Sequence, residues 1–410
     1  MKLIQYGSSS LANSENIGVP IIRMNNLQDD ELNLTNLKYI QLSEKEINLL
    51  RLQKGDILFN RTNSKELVGK CAVFREETEY VYASYLIKVR LDETKLLPDF
   101  ASLFLGSPTG RLQIDCISRQ IIGMTNINTE EIKSLKLPIP PIEFQEKAVE
   151  QIKKSYAEKK AKEAEAERLL ASVDDLVLDA LGITLPDREE NTLDKRIFFT
   201  KSSEISSGRF DPDALHPERI NAIKAVQTSK YQVRKLNEIA KFVRVLTTEK
   251  ILDFPYIGLE NIQSNTGIYL PKNDVEEFGT ANVFEIGQVL FPKLRPYLNK
   301  VFKANFAGVC STEFYVLDGI QISNNFLACF LRTSLIVSQT KRLMTGNTLP
   351  RLQTKDVESL QIPIPPPEVQ AKIAEQVETI YAEAKRLREE GKETLKQAKL
   401  EVEKMILGEG

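Results

Sequence analysis

Two long stretches of this chain place an apolar residue every three or four positions. In the first, Val149, Ile152, Tyr156, Lys159, Glu163, Ala166, Leu170, Val173, Val177 and Ala180 keep a strict 3,4 spacing, and eight of the ten are apolar or aromatic. In the second, Ile373, Val377, Ile380, Ala384 and Leu387 keep it; the phase slips at Gly391 and resumes with Leu395, Ala398, Val402 and Met405. The pattern predicts two helices of roughly 40 residues, about 60 Å long at 1.5 Å per residue. Each carries a seam that calls for a partner helix, and the obvious partner is the other one. Gly182 and Gly408 are natural stops.

The same segment opens both helices. Ser134–Lys147 reads SLKLPIPPIEFQEK and Ser359–Lys372 reads SLQIPIPPPEVQAK, with nine of fourteen positions identical and no gap. The proline run cannot be helical, because proline lacks the donor and restricts its predecessor. A duplicated entry into a helix implies that what precedes it is duplicated too. Pro20–Gln28 lines up with Pro255–Gln263, and Lys54-Gly-Asp-Ile-Leu-Phe59 with Ile286-Gly-Gln-Val-Leu-Phe291, a turn glycine before a short apolar strand. Further strand patterns cover Cys71–Phe74, Val81–Val89, Lys300–Phe302 and Glu313–Leu317; apolar segments of helical spacing cover Phe100–Ile117 and Asn325–Leu335. The expected class is α+β, with two mixed, largely β domains separated by a pair of long helices forming a coiled coil. The expected boundaries are 1–137 and 231–361 for the globular domains, 138–182 and 362–410 for the helices, and 183–230 for a connector. The first copy has nothing to match Tyr231–Ala240, so its leading edge reads as shortened.

Composition narrows the function. The helices are acidic, with 7 Lys plus Arg against 10 Asp plus Glu in residues 142–181 and 8 against 10 in 362–410. The globular parts are balanced or mildly basic, 17 against 17 in 1–137 and 15 against 12 in 231–361. A nucleic-acid site is therefore expected as a local patch on each domain. No apolar run reaches 18 residues and the first residues are not those of a signal peptide, so a cytoplasmic protein without membrane contact is expected. Cys71, Cys116, Cys310 and Cys329 are scattered and read as buried, reduced thiols. The single histidine, His216, lies in a turn-like DPDALHP context with no ligand set around it, so no metal is expected. No GxGxxG, no GxxxxGK[ST], no HExxH and no Asn/Asp-Pro-Pro-aromatic motif occurs, so neither catalytic residues nor a cofactor are expected.

These residues resemble the specificity (S) subunit of type I restriction–modification systems. The resemblance rests on PIPPIEFQEK and PIPPPEVQAK opening long helices, on the strand–Gly–Asp/Gln–apolar–Phe blocks, on the connector GRFDPDALHPE and on YGSSS followed by VPIIRMNNL. It covers nearly the whole chain. It implies two target-recognition domains that each read half of a split double-stranded DNA sequence. It further implies an antiparallel helix pair serving as spacer ruler and docking site for methyltransferase (modification) subunits, two of them, with a restriction/translocase subunit as a further partner. A coiled-coil adaptor that binds no DNA is the competing class.

Base edges are addressed by Arg, Lys, Asn and Gln, and phosphates by Lys, Arg, Ser and Thr. In the first domain the candidates are Ser8, Ser9, Ser10, Arg61, Asn63, Ser64 and Lys65, then Arg119, Gln120, Thr125 and Asn126. In the second they are Lys293, Arg295, Tyr297 and Asn299, then Arg342, Thr345, Asn347 and Arg351. The helix seam is expected at Val149, Ile152, Tyr156, Leu170, Val173, Val177, Ile373, Val377, Ile380 and Leu387.

Overall fold

The computed structural model describes residues 1–28, 30–65, 67–121, 124–186, 197–199, 211–248, 254–271, 279–344 and 350–408. By contact the chain divides into two compact units, Met1–Lys162 with Glu389–Gly410, and Glu163–Arg388. The long helices, Ile142–Leu181 and Pro367–Leu407, each contribute one half to each unit. In the first unit Ala148 and Ile152, near the start of one helix, share a core with Ala398 and Val402, near the end of the other. In the second unit Val173, Val177 and Leu181 share a core with Ile373, Ala374 and Val377. Start meets end in both units, so the pair is antiparallel. Ile152, Val173, Val177, Ile373 and Val377 are buried; Val149, Tyr156, Leu170, Ile380 and Leu387 are half-buried. At Gly391, where the periodicity slips, the helix continues unbroken, and a Cβ there would stand 3.4 Å from Lys159 Cα.

The duplicated entry segment owes its glutamine to hydrogen bonding. Gln145 is fully buried; its Oε1 accepts from Leu97 N (2.8 Å) and its Nε2 donates to Lys95 O (2.9 Å) and Pro140 O (2.8 Å). Gln370 repeats this, accepting from Ser323 N (2.7 Å) and donating to Pro365 O (2.8 Å). Leu97 and Ser323 precede the helices Pro98–Gly106 and Asn324–Leu331. One amide thus ties the proline turn to the start of a domain helix, satisfying groups that burial would otherwise leave unpaired.

In the first unit the main sheet runs Leu3–Tyr6, Leu86–Arg90, Ile57–Asn60, Cys71–Val73, all antiparallel. A second sheet runs Lys38–Ile40, Val19–Ile22, Val81–Tyr82, and a third Arg119–Ile121, Met124–Asn126, Thr62–Asn63. The run Val81–Val89 is therefore two strands and not one. Leu86 N closes a turn onto Ala83 O, and the strands on either side belong to different sheets. The second unit places Ala240–Val243, Phe314–Gly319, Val289–Pro292 and Phe302–Lys303 in one sheet. A second sheet holds Leu246–Thr247, Ala281–Phe284, Gly308–Ser311 and Tyr256–Ile257. The Gly–Asp/Gln blocks close the same turn in both copies. Gly55 and Gly287 adopt left-handed backbone (φ 92° and 89°), and Asp56 Oδ2 accepts from Gln53 N (2.8 Å) as Gln288 Oε1 does from Glu285 N (2.9 Å). Only Asp56 also holds an arginine, Arg90, through two bonds of 2.6 and 2.7 Å.

Cys71, Cys310 and Cys329 are buried free thiols, but Cys116 is exposed on the helix Pro108–Ile117. His216 caps the connector helix Pro217–Gln227, its Nδ1 accepting from Glu218 N (3.2 Å).

Candidate nucleic-acid interface

The first-domain candidates come together around one turn, Ala83–Tyr85. Ser8 pairs with it by backbone bonds, accepting from Ser84 N (2.7 Å) and donating to Tyr82 O (2.9 Å). The Ser8 hydroxyl accepts from Ser10 N, while Ser9 and Ser10 are exposed. Arg61 N donates to Tyr85 O and Arg61 Nη1 to Ser84 O. The third sheet then sets Thr62 opposite Asn126 and Asn63 opposite Thr125. Serine loop, arginine loop and the 119–126 hairpin thus form one contiguous surface.

Within it the roles divide by exposure. Ser64 and Lys65 are exposed, and the Lys65 ammonium has no partner among the described residues. Asn63 Nδ2 reaches only Met24 Sδ at 3.7 Å. Asn126 accepts from the Thr62 hydroxyl, Thr125 is buried, and Arg119 is exposed with an ion pair to Glu131 at 2.7 Å. Gln120 is placed by its backbone alone, opposite Thr125.

Arg61 points inward. Its guanidinium is half-buried, 4.8 Å from the centroid of Tyr6. Lys293 does the same in the second unit: its Nζ donates to Thr312 O (2.6 Å) and lies 4.6 Å from the centroid of Tyr315. The backbone frames coincide. Arg61 donates to Tyr85 O and accepts from Ile127 N, and Lys293 donates to Glu313 O and accepts from Leu352 N. Burial lowers the pKa of Lys293 from the ordinary lysine value although Glu313 stands beside it. These two cations are anchors at the root of their loops, stacked where the ring face attracts charge.

Two residues farther on, Arg295 occupies the position of Asn63. It is exposed, in left-handed backbone (φ 49°), with no side-chain partner among the described residues. Arg351, which bridges Leu294 as Asn126 bridges Thr62, grips Glu313 with bonds of 2.7, 2.8 and 3.0 Å. Tyr297 is exposed beside this turn. Asn299 is not available to a ligand: it is 5% exposed and its Nδ2 donates to Arg332 O (2.7 Å) and Asn265 Oδ1 (3.3 Å). Arg342 is drawn to the connector, pairing with Glu218 and Asp213. Thr345 and Asn347 lie outside the described residues.

Sequence reasoning missed Arg23. It follows the strand Val19–Ile22, whose Ile22 O accepts from Ala83 N, and so borders the same turn as Ser8 and Arg61. Its Nε is shielded from solvent with no hydrogen-bond partner among the described residues. The aligned position in the second copy is Gly258. An arginine facing a glycine across the repeat was the available signal.

A family model described as "Type I restriction modification DNA specificity domain" matches residues 6–168 and 228–397. The chain belongs to that family. Both repeats match, globular parts included, so the adaptor reading is not favoured and the repeats are DNA-recognition domains of a type I specificity subunit. Among relatives of this specificity subunit, the putative type I restriction enzyme MjaX specificity subunit of Methanocaldococcus jannaschii is 23% identical, over 99% of this chain and 90% of its own length. The type I restriction enzyme EcoKI specificity subunit of Escherichia coli is 29% identical over 57% of this chain and 49% of its own. A solved HsdS subunit from Thermoanaerobacter tengcongensis aligns over 98% of this chain and 93% of its own, at 13% identity and a TM-score of 0.40. Among the described residues no helix is long and apolar enough to cross a membrane, and no group of His, Cys, Asp and Glu could hold a metal ion.

Proposed function

We propose that the chain reads a bipartite double-stranded DNA target, one half-site per domain, and docks methyltransferase subunits, two of them, together with a restriction/translocase subunit. It works in the cytoplasm. The observation that carries this reading is the pair of matching frames with unlike side chains. Arg61 and Lys293 anchor equivalent loops, while the positions beyond them hold Asn63 and Asn126 in one copy and Arg295 and Arg351 in the other. Asn suits adenine edges and Arg suits guanine edges. Arg23, Asn63, Lys65, Arg119 and Asn126 form the first reading face, with Ser8, Ser9, Ser10 and Ser64 toward the phosphates. Arg295, Tyr297 and Arg351 form the second.

The helix pair acts as the ruler. One heptad inserted into both helices, near Glu163 and near Gly391, keeps the seam in phase and adds about 10 Å, or about three base pairs of spacer. Selection from a random duplex pool in the presence of the methyltransferase partner should return the same half-sites at the longer spacing. An unmoved spacer would rule out the ruler. The chain contributes no chemistry of its own in this scheme. Purified alone, it should leave a radiolabelled methyl-transfer assay at background, and robust transfer would overturn the assignment.

A further inference from the structure

Where each recognition domain meets the long helices, a second set of polar contacts recurs that plays no part in the reading loops. In the first unit Asp30 adopts left-handed backbone (φ 61°) beside the short ladder of Leu27–Gln28 with Glu31–Leu32. Its Oδ2 accepts from the Tyr156 hydroxyl (2.7 Å) on one long helix and from Lys399 Nζ (2.6 Å) on the other. Lys399 Nζ also lies 5.5 Å from the Tyr156 ring centroid. A cavity of about 370 Å³ opens beside this tie. One helical turn beyond Lys399, buried Glu403 accepts from Thr109 N (2.7 Å) at the start of the helix Pro108–Ile117.

The second unit builds the same corner from different chemistry. Asn265 holds the left-handed place of Asp30 (φ 64°), and Tyr381 holds the seam place of Tyr156, 225 residues on. Asp174 stands where the same offset puts Lys399. It accepts from the backbone N (2.8 Å) and hydroxyl (2.6 Å) of Ser334, which opens the helix Ser334–Thr340. A cavity of about 520 Å³ again lies beside it.

Each domain is fastened to the long helices at the buried glutamine of the proline turn and through an apolar core shared with them. Apolar packing is non-directional, so directional contacts at the rim of that core define the angle more sharply. An acid that receives the orphan amide at a helix start is such a contact, because both the donor direction and the local dipole are set by the backbone. Each domain also has an apolar core outside the corner, around Ile21, Leu58 and Phe74 in one and around Phe284, Leu290 and Phe314 in the other. Corner contacts at the rim are therefore not what the domain needs in order to fold.

We infer that Asp30, Lys399 and Glu403 in the first unit, and Asp174 in the second, are positioning residues that set the angle of each recognition domain on the helix pair and thereby the spacer length the subunit accepts. This rests on the bipartite reading above. The test uses the full chain with its methyltransferase partner and a duplex library in which both half-sites are fixed and the spacer is varied. Asp30→Ala, Glu403→Ala and Asp174→Ala should keep the selected half-site bases. Their preference for the native spacer over one base pair longer or shorter should drop about fivefold or more, the usual lower range of a coupling between distant sites. Glu403→Gln, which keeps an acceptor for Thr109 N, should restore the preference. Lys399→Met removes the charge while retaining the apolar stem, and should broaden the spacer as Asp30→Ala does. Alanine variants that bind all spacers more weakly by one common factor would overturn the inference, as would a Lys399→Met protein with native spacer preference. If the unsubstituted chain selects no split target at all, it is the bipartite reading that fails.

Discussion

The two recognition domains solve the same backbone problem with the same bonds and then part company at the side chains that face outward. Arg61 and Lys293 donate to equivalent carbonyls, Ser84 O and Thr312 O, and each lies on a tyrosine. The tyrosines themselves come from different strands, Leu3–Tyr6 in one copy and Phe314–Gly319 in the other. Beyond the anchors nothing matches: Asn63 against Arg295, Asn126 against Arg351, Arg23 against Gly258. Positions held by the scaffold repeat their bonding even when the residue changes. Positions beyond the anchors are where two half-sites can differ.

The largest effect is expected where the scaffold itself is unequal. Asp56 closes its turn and also holds Arg90, whereas Gln288 closes the equivalent turn alone. Asp56→Ala leaves a half-buried guanidinium unpaired and should cost about 2–3 kcal/mol. Gln288→Ala removes one hydrogen bond and should cost about 1 kcal/mol. Denaturant unfolding of the two variants, followed by hydrogen exchange in each unit, measures the difference; equal losses would mean that the Arg90 pair contributes nothing.

Next come the reading positions. Arg295→Ala should cost about 1–3 kcal/mol in DNA binding and relax only the second half-site. Arg23→Ala should do so only in the first. Arg61→Ala, by contrast, loosens a loop root, so it should lower affinity for every first half-site sequence without changing the preferred bases. Sequencing the DNA selected by each variant separates these outcomes, and relaxation of both half-sites by one substitution would mean a single continuous reading surface.

A smaller effect distinguishes the two corners by pH. Burial favours the neutral form of Asp30, but Lys399 and Tyr156 outweigh it and hold the carboxyl below its ordinary value of 3.8. A depressed carboxylate adds stability above the unfolded pKa and loses it as pH falls through the folded one. Asp30→Asn should therefore be less stable than the parent near neutrality by about 1 kcal/mol, given partial exposure to solvent. That gap should close as the pH drops below 3.8. Asn265→Asp probes the same place in the second copy, where Asn299 and not a lysine meets the side chain among the described residues, and should show a smaller acid-dependent gain. The smallest effect concerns thiols. Burial pushes Cys71 and Cys310 up to about 12 and Cys329 up to about 11, so only exposed Cys116 should react with a thiol reagent in the folded protein. Labelling it should leave DNA selection unchanged.

The sequence made the helices and the repeat legible because both are periodic, and periodicity survives without knowledge of the fold. Seam residues such as Ile152, Val177 and Ile373 follow from spacing alone. The loops near Arg61 and Lys293 could be placed for the same reason, as polar stretches after a repeated strand. What the sequence could not show was direction. Asn299 looks like any polar turn residue, yet its left-handed backbone (φ 50°) turns the amide inward to Arg332 O. Arg61 reads as a residue that faces DNA, but a cation over a tyrosine ring two strands away in the sheet is a tertiary fact. Val81–Val89 reads as one strand because its apolar residues alternate across a turn that hydrogen bonding, not composition, creates. Arg23 lies at the end of a core strand, where the pattern shows only burial.

The buried glutamine of the proline turn gives the two recognition domains one common fastening. Gln145 and Gln370 accept the amide before a domain helix and donate to the carbonyl of a proline in their own turn, Pro140 and Pro365, at the same 2.8 Å. A crossover inside the shared PIPP segment would hand one repeat's domain to the other repeat's helix with this fastening intact. The chain thus carries its own splice point, at which one half of a DNA address can be rewritten without disturbing the other.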